Sequence, residues 1–228
     1  MQDSRRQPIT RTIPSSAAYG LWELANPSGL RLQLLPGGEL FAIRHGGTLI
    51  NQVLPTPAER GMHRLVVRDR DGATPVPLDL LAGSCVRCGE RQVCWTGAAD
   101  GWAYTVTLIL ASGDPVWLWR VSIRNGTAHA RRFDLLHGQD LGLADEAGVR
   151  GNEAFLSQYI DHCPVLHARW GTVLLARQNL PQAGEAHPWF AHGCLAGGVA
   201  YATDGFQFFG LGHRVTGVPD AYGQERLP

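Results

Sequence analysis

Apolar and polar residues alternate with a period of two along most of this chain, and turn-forming pairs break the alternation at short intervals. Over residues 30–34, Leu30, Leu32 and Leu34 fall on one side and Arg31 and Gln33 on the other, the signature of a strand with one buried face. Pro36-Gly37-Gly38 then predicts a turn into residues 39–44, so the two segments read as a hairpin. Alternation returns over 63–68 ahead of Asp71-Gly72. A cysteine-bearing strand is predicted to meet residues 104–110 across Asp100-Gly101, a pair suited to positive φ. The strongest pattern lies at 116–124, where Trp117, Trp119, Val121 and Ile123 share one face, and Asn125-Gly126 predicts a return along residues 130–137. Strands resume at 171–177. Residues 178–198, with Pro181, Gly184 and Pro188, read as a long ordered loop, and a last strand is predicted at 199–202, with Asp204-Gly205 leading into an apolar run at 206–211.

These elements predict an all-β fold: one domain over residues 1–228, built as a large antiparallel β-sandwich of two sheets with Trp117, Trp119, Val121 and Ile123 facing inward. A doubly wound parallel sheet would need intervening amphipathic helices, which the periodicity does not supply. A propeller would need a repeat, and none is sustained here.

Composition narrows the function more than the fold. With 44% hydrophobic residues, 228 residues can bury a sizeable core. The 20 basic and 20 acidic residues cancel and are interspersed, so the electrostatic footprint needed for nucleic acid or an anionic membrane is missing. All 20 basic residues are arginine, which excludes Schiff-base and phosphate-loop lysines. No secretory h-region or membrane-length apolar run is present, and the chain reads as cytoplasmic. Five cysteines, Cys85, Cys88, Cys94, Cys163 and Cys194, fit a reducing compartment. Cys85, Cys88 and Cys94 have zinc-like spacing without a nearby fourth ligand, and their apolar neighbours favour buried thiols, so no metal is assigned.

Between Gly138 and Gln182 the alternation gives way to a dense polar stretch. Asp140, Asp145, Arg150, Asn152, Glu153, Gln158 and Tyr159 fall within it, the residue types that recognise sugar hydroxyls or that dock another domain. The competing structural reading has the Asp and Asn residues capping turns and Arg150 pairing with a carboxylate. The histidine groupings, Asp134 with His137, Asp161 with His162 and His187 with His192, lack metal spacing. Gly83-Ser84-Cys85 lacks the second glycine of a nucleophile elbow, and Gly210-Leu211-Gly212 opens no helix of a dinucleotide loop.

The runs Gly138-Gln139-Asp140-Leu141-Gly142-Leu143-Ala144-Asp145, Asn152-Glu153-Ala154-Phe155 through Asp161-His162, Ala176-Arg177-Gln178-Asn179-Leu180-Pro181-Gln182 and Tyr201-Ala202-Thr203-Asp204-Gly205-Phe206 through Gly210 resemble the N-terminal part of 1,2-β-oligoglucan phosphorylases of glycoside hydrolase family 94. The resemblance is strongest over residues 125–222. It implies a supersandwich of the galactose-mutarotase-like kind, followed in the family by an (α/α)6 barrel that carries the catalytic site. Such a fragment is expected to hold no catalytic residues and no cofactor, with inorganic phosphate the co-substrate of the intact enzyme. Its implied partners are a β-glucan oligosaccharide, the barrel and a second copy in a homodimer. Inverting phosphorolysis needs one protein carboxylic acid to protonate the leaving oxygen while phosphate attacks the anomeric carbon. Two further readings stay open: a carbohydrate-binding module with an aromatic platform from Tyr159, Trp170, Trp189 and Phe190, and an aldose epimerase using His162 or His213 with Glu153.

Overall fold

The computed structural model describes residues 20–56, 60–71, 77–87, 89–197, 200–213 and 217–224. The first strands, β1 (Trp22–Ala25), β2 (Leu30–Leu34), β3 (Leu40–His45) and β4 (Thr48–Leu49), form an antiparallel meander. Trp22 opposes Leu34, and Leu24 and Ile43 flank Leu32, so the leucine face of the sequence becomes a buried face while Glu23 and Arg31 remain exposed. The turn into β3 requires glycine at 38. Gly38 has φ +86, and a Cβ there would lie 2.6 Å from Cys85 Cβ.

Next come β5 (Arg64–Asp69), β6 (Leu78–Asp79), β7 (Ser84–Arg87), β8 (Gln92–Ala99), β9 (Trp102–Leu110) and β10 (Trp117–Asn125). The last four form a sheet in the order β10-β9-β8-β7, with Asp100 (φ 50) and Gly101 (φ 80) making the β8–β9 turn as predicted. Trp117, Trp119, Val121 and Ile123 face the core from the edge strand β10 and are half-buried, while the residues between them face solvent.

The predicted hairpin of 116–124 with 130–137 does not form. β11 (Phe133–Gly138) leaves β10 and pairs with β5, giving a third sheet in the order β11-β5-β6. Asn125 sits at the end of β10 opposite Trp102, and its side chain takes the Thr127 N–H (2.9 Å) and donates to the His129 carbonyl (2.6 Å), bending the chain away. Arg131 then pairs with Asp69, Arg132 with Asp71 (2.7 Å) and Arg68 with Asp134 (2.7 Å), fastening β11 to β5 through charges.

The polar stretch is more structured than its composition suggests. It holds two short helices, α1 (Glu146–Gly151) and α2 (Glu153–Ser157), and a strand, β12 (Ile160–His167). β13 (Gly171–Gln178) follows, and β14 (Trp189–Gly193) stands inside the predicted loop at 178–198, completing a fourth sheet in the order β12-β13-β14. Residues 206–211 do not extend a strand: Asp204 accepts from the N–H groups of Phe206 and Gln207 and caps α3 (Gly205–Phe209). Val199 lies outside the described residues, and 200–202 carry no strand.

With 44% strand against 14% helix and every pairing antiparallel, the molecule is an all-β sandwich. Among the described residues the strands divide among four sheets rather than two. One hydrophobic cluster draws on all of them, from Leu24, Leu32 and Ile43 through Val106 and Leu108 to Val67, Ile160 and Ala176. A smaller cluster of Ala42, Leu49, Ala144, Val149 and Leu156 seats α1 and α2 against β3 and β4. Among the described residues no helix is long and apolar enough to cross a membrane.

Candidate functional site

The polar stretch splits into two environments. Asp140 follows β11 and turns its carboxyl inward, where one oxygen accepts from the backbone N–H of Gln52 (2.7 Å) and of Val53 (2.6 Å). Burial pushes this carboxyl above the usual range against those hydrogen bonds, which favour its charged form. The carboxylate thus ties the loop after β4 to the loop after β11.

Asp145, Arg150, Asn152, Gln158 and Tyr159 gather around α1 and α2. Asp145 caps α1 by accepting from Gly148 N (2.8 Å), and Asn152 caps α2 by accepting from Phe155 N (3.1 Å). Arg150 donates to Glu146 one helical turn away (2.7 Å), and Glu146 also receives Arg44 from β3 (2.7 Å). Hydrogen bonds from Arg44 and then Arg150 hold Glu146 below the usual carboxylate range. Gln158 ends α2, and Tyr159 packs its ring on Phe155 at 4.8 Å with both partly exposed. Glu153 opens α2, and its side chain lies outside the described residues. A residue the polar pattern did not single out anchors the whole unit. Gln178 of β13 is fully buried, donates to the carbonyls of Gly142 (3.0 Å) and Leu156 (3.2 Å), and accepts from Leu180 N (2.9 Å).

A second constellation joins histidines far apart in sequence. His137 of β11 contacts His192 of β14 through Nδ1 (3.1 Å) and His63, just before β5, through Nε2 (3.3 Å). Trp119 of β10 lies against His63, and Trp95 against Trp119. Desolvation, with the Arg64 charge second, holds His63 down to about 3. Desolvation also keeps His137 well below the imidazole range and lowers His192. The rings are therefore neutral at pH 7, and His137, bonded through both nitrogens, can donate to one neighbour while accepting from the other. Two of the three groupings seen in the sequence come apart here. Asp134 bonds Arg68 instead of His137, and His187 meets the Gln178 carbonyl (3.0 Å) instead of His192. Residues 134 and 137 are an odd number apart on one strand and so face opposite ways.

The remaining candidates occupy separate places. Phe190 packs against Trp117 in the core, while Trp189 next to it points outward at 63% exposure with Arg177 over its ring; Trp170 stacks on His167 at 4.4 Å. His162 is half-buried on β12, and His213 is buried beside Arg64 (3.4 Å) and Phe209. Cys85 opposes Trp95, and Cys94 opposes Val86, so these two thiols point to opposite sides of the sheet. Cys88 lies outside the described residues. Among the described residues no group of three or more His, Cys, Asp or Glu is arranged to hold a metal ion.

Residues 33–228 match the family described as the SOGP N-terminal domain. The chain is also 34% identical over 194 residues to a 1,2-beta-oligoglucan phosphorylase of Listeria innocua serovar 6a (strain ATCC BAA-680 / CLIP 11262). The alignment covers 85% of this chain and 17% of that enzyme, so the chain spans about a sixth of its relative's length.

Proposed function

Because the chain belongs to the SOGP N-terminal domain family, we propose that it is the noncatalytic sandwich of a cytoplasmic glycoside phosphorylase acting on β-1,2-linked glucans. The observation that carries this reading is the match itself, 85% of the chain against 17% of a 1,2-beta-oligoglucan phosphorylase. The polar side chains are consistent with it, because several of them are committed to structure. Asp145 and Asn152 cap helices, and Asp140 ties two loops. The three contacting histidines are enclosed among aromatic rings.

In this role the sandwich supports an (α/α)6 barrel, borders the path of the oligosaccharide and contributes to a homodimer. Inorganic phosphate attacks the anomeric carbon in the barrel while a barrel carboxylic acid protonates the leaving oxygen. The exposed side of α1 and α2, with Asp145, Arg150, Asn152, Gln158 and Tyr159, is the edge proposed to meet the barrel or a second copy, with Glu153 proposed to act beside them and Asp140 securing the loop behind it. The test is phosphate consumption or release on β-1,2-glucooligosaccharides. The 228-residue chain alone should show no turnover, whereas a chain extended to the full length of the relative should turn them over. Phosphorolysis by the purified 228-residue chain, or none by the extended one, overturns the reading.

A further inference from the structure

The sheet β10-β9-β8-β7 ends on β10, which among the described residues pairs with β9 alone. The alternation of an antiparallel ladder tells which of its backbone groups are used. Ala111 N donates to the Val116 carbonyl (2.9 Å) and Gly126 N to the Gly101 carbonyl (2.8 Å), and both pairs continue the β9–β10 register. Hydrogen-bonded positions recur at every second residue. Leu118, Arg120, Ser122 and Arg124 therefore bond β9, while Trp117, Trp119, Val121 and Ile123 turn their N–H and C=O groups to the open side. The strand runs nine residues with neither a proline nor a bulge, two of the devices that blunt a sheet edge. Those same four residues send their side chains into the core cluster yet stay half-buried, since among the described residues no further strand lies beside them. On the outer face Arg120 and Arg124 are exposed, and among the described residues neither forms an ion pair.

We propose that this edge takes up one further strand, an extended segment alternating apolar and acidic residues, supplied by the same polypeptide in a longer chain. The incoming backbone pairs with Trp117, Trp119, Val121 and Ile123. Its apolar side chains extend the inner face beside them, and its carboxylates lie on the outer face beside Arg120 and Arg124. Charge disfavours the two occupants nearest at hand. Two copies joined antiparallel through β10 would bring four arginines onto one face, where like charges repel. Residues 1–19 bring Arg5, Arg6 and Arg11 against a lone Asp3, and they carry Pro8 and Pro14, which cannot donate to a ladder. Contact area points to a tethered source. An edge of nine residues is about 30 Å long and one strand deep, less contact than the roughly 1,200 Å2 that stable interfaces between separate chains bury, whereas a segment of the same chain arrives at high effective concentration. The matched stretch is 17% of the relative, which leaves ample chain to supply it. That the strand belongs to the same polypeptide rests on the proposed function; the open edge and its charge do not.

Hydrogen–deuterium exchange read residue by residue, in the 228-residue chain and in the chain extended to the relative's full length, tests the proposal. In the 228-residue chain the amides of Leu118, Arg120 and Ser122 should be protected, and those of Trp117, Trp119, Val121 and Ile123 should exchange freely. In the extended chain the second set should slow by about 100-fold or more, because a hydrogen bond must then open first. Val121→Pro removes an outward N–H and no bond to β9, so the 228-residue chain keeps its fold while the extended chain loses protection at Trp119 and Ile123. Arg120→Glu together with Arg124→Glu should cut the outward protection in the extended chain roughly ten-fold and leave the amides that face β9 unchanged. Free exchange of the outward amides in the extended chain overturns the proposal, as does protection indifferent to the charge reversal. Protection already present in the 228-residue chain also overturns it, since a second copy or the start of the chain would then cover the edge. An extended chain that phosphorolyses glucans with a freely exchanging edge rejects this proposal alone, and one with a protected edge and no turnover rejects the proposed function alone.

Discussion

At the scale of single residues, the contacting imidazoles of His63, His137 and His192 set the response to acid. Each has its pKa lowered in the folded state, chiefly by burial. In the unfolded chain a histidine takes up its proton near pH 6.5. Below that pH the unfolded state binds protons that the folded state refuses, so stability is intact above about pH 6.5 and falls as pH drops. The slope is about 1.4 kcal/mol per pH unit for each histidine still neutral in the fold. Asp140 acts in the opposite sense, since its raised pKa makes protonation favour the fold, but it is one group against three histidines. Urea unfolding between pH 7.5 and 5.5 should therefore show a falling midpoint, and His137→Gln should flatten the dependence. Gln178 and Arg150 make a second contrast. Gln178→Ala strands two buried carbonyls and an N–H and should cost about 2–4 kcal/mol. Arg150→Ala removes an exposed pair and should stay within about 0.5 kcal/mol in the same denaturation measurement.

Among elements, hairpins whose turns are short were legible and the longer-range pairings were not. The β2–β3 turn is specified by Pro36-Gly37-Gly38, and β8–β9 by Asp100-Gly101. Gly38→Ala should cost upward of about 2 kcal/mol, since the methyl meets Cys85 and Trp95 on a backbone already at φ +86; a thermal midpoint within a degree of the parent would contradict this. Asn125-Gly126 carries as strong a hairpin signal as either, yet β11 pairs with β5. Local turn propensity is worth on the order of 1 kcal/mol. The competing arrangement has three Arg–Asp pairs and buries Leu136 opposite Val66. β12 was hidden because most of its residues lie exposed on both faces, so no alternation marks it.

For the molecule as a whole, residue chemistry in the sequence determined the all-β class, the inward face of β10 and the capping capacity of Asp145 and Asn152. Each of these depends on neighbours within a few positions: strand pleat, turn φ and the first turn of a helix are local geometry. The runs at 138–162, 176–182 and 201–210 carried the family resemblance independently of that geometry. Tertiary structure alone decided the division of the described strands into four sheets, the meeting of His63, His137 and His192, and the burial of Gln178. These features join residues 20 to more than 100 positions apart. Their contacts exist only once the sheets have packed, because burial of the shared core, rather than any pairwise preference readable along the chain, selects which faces meet.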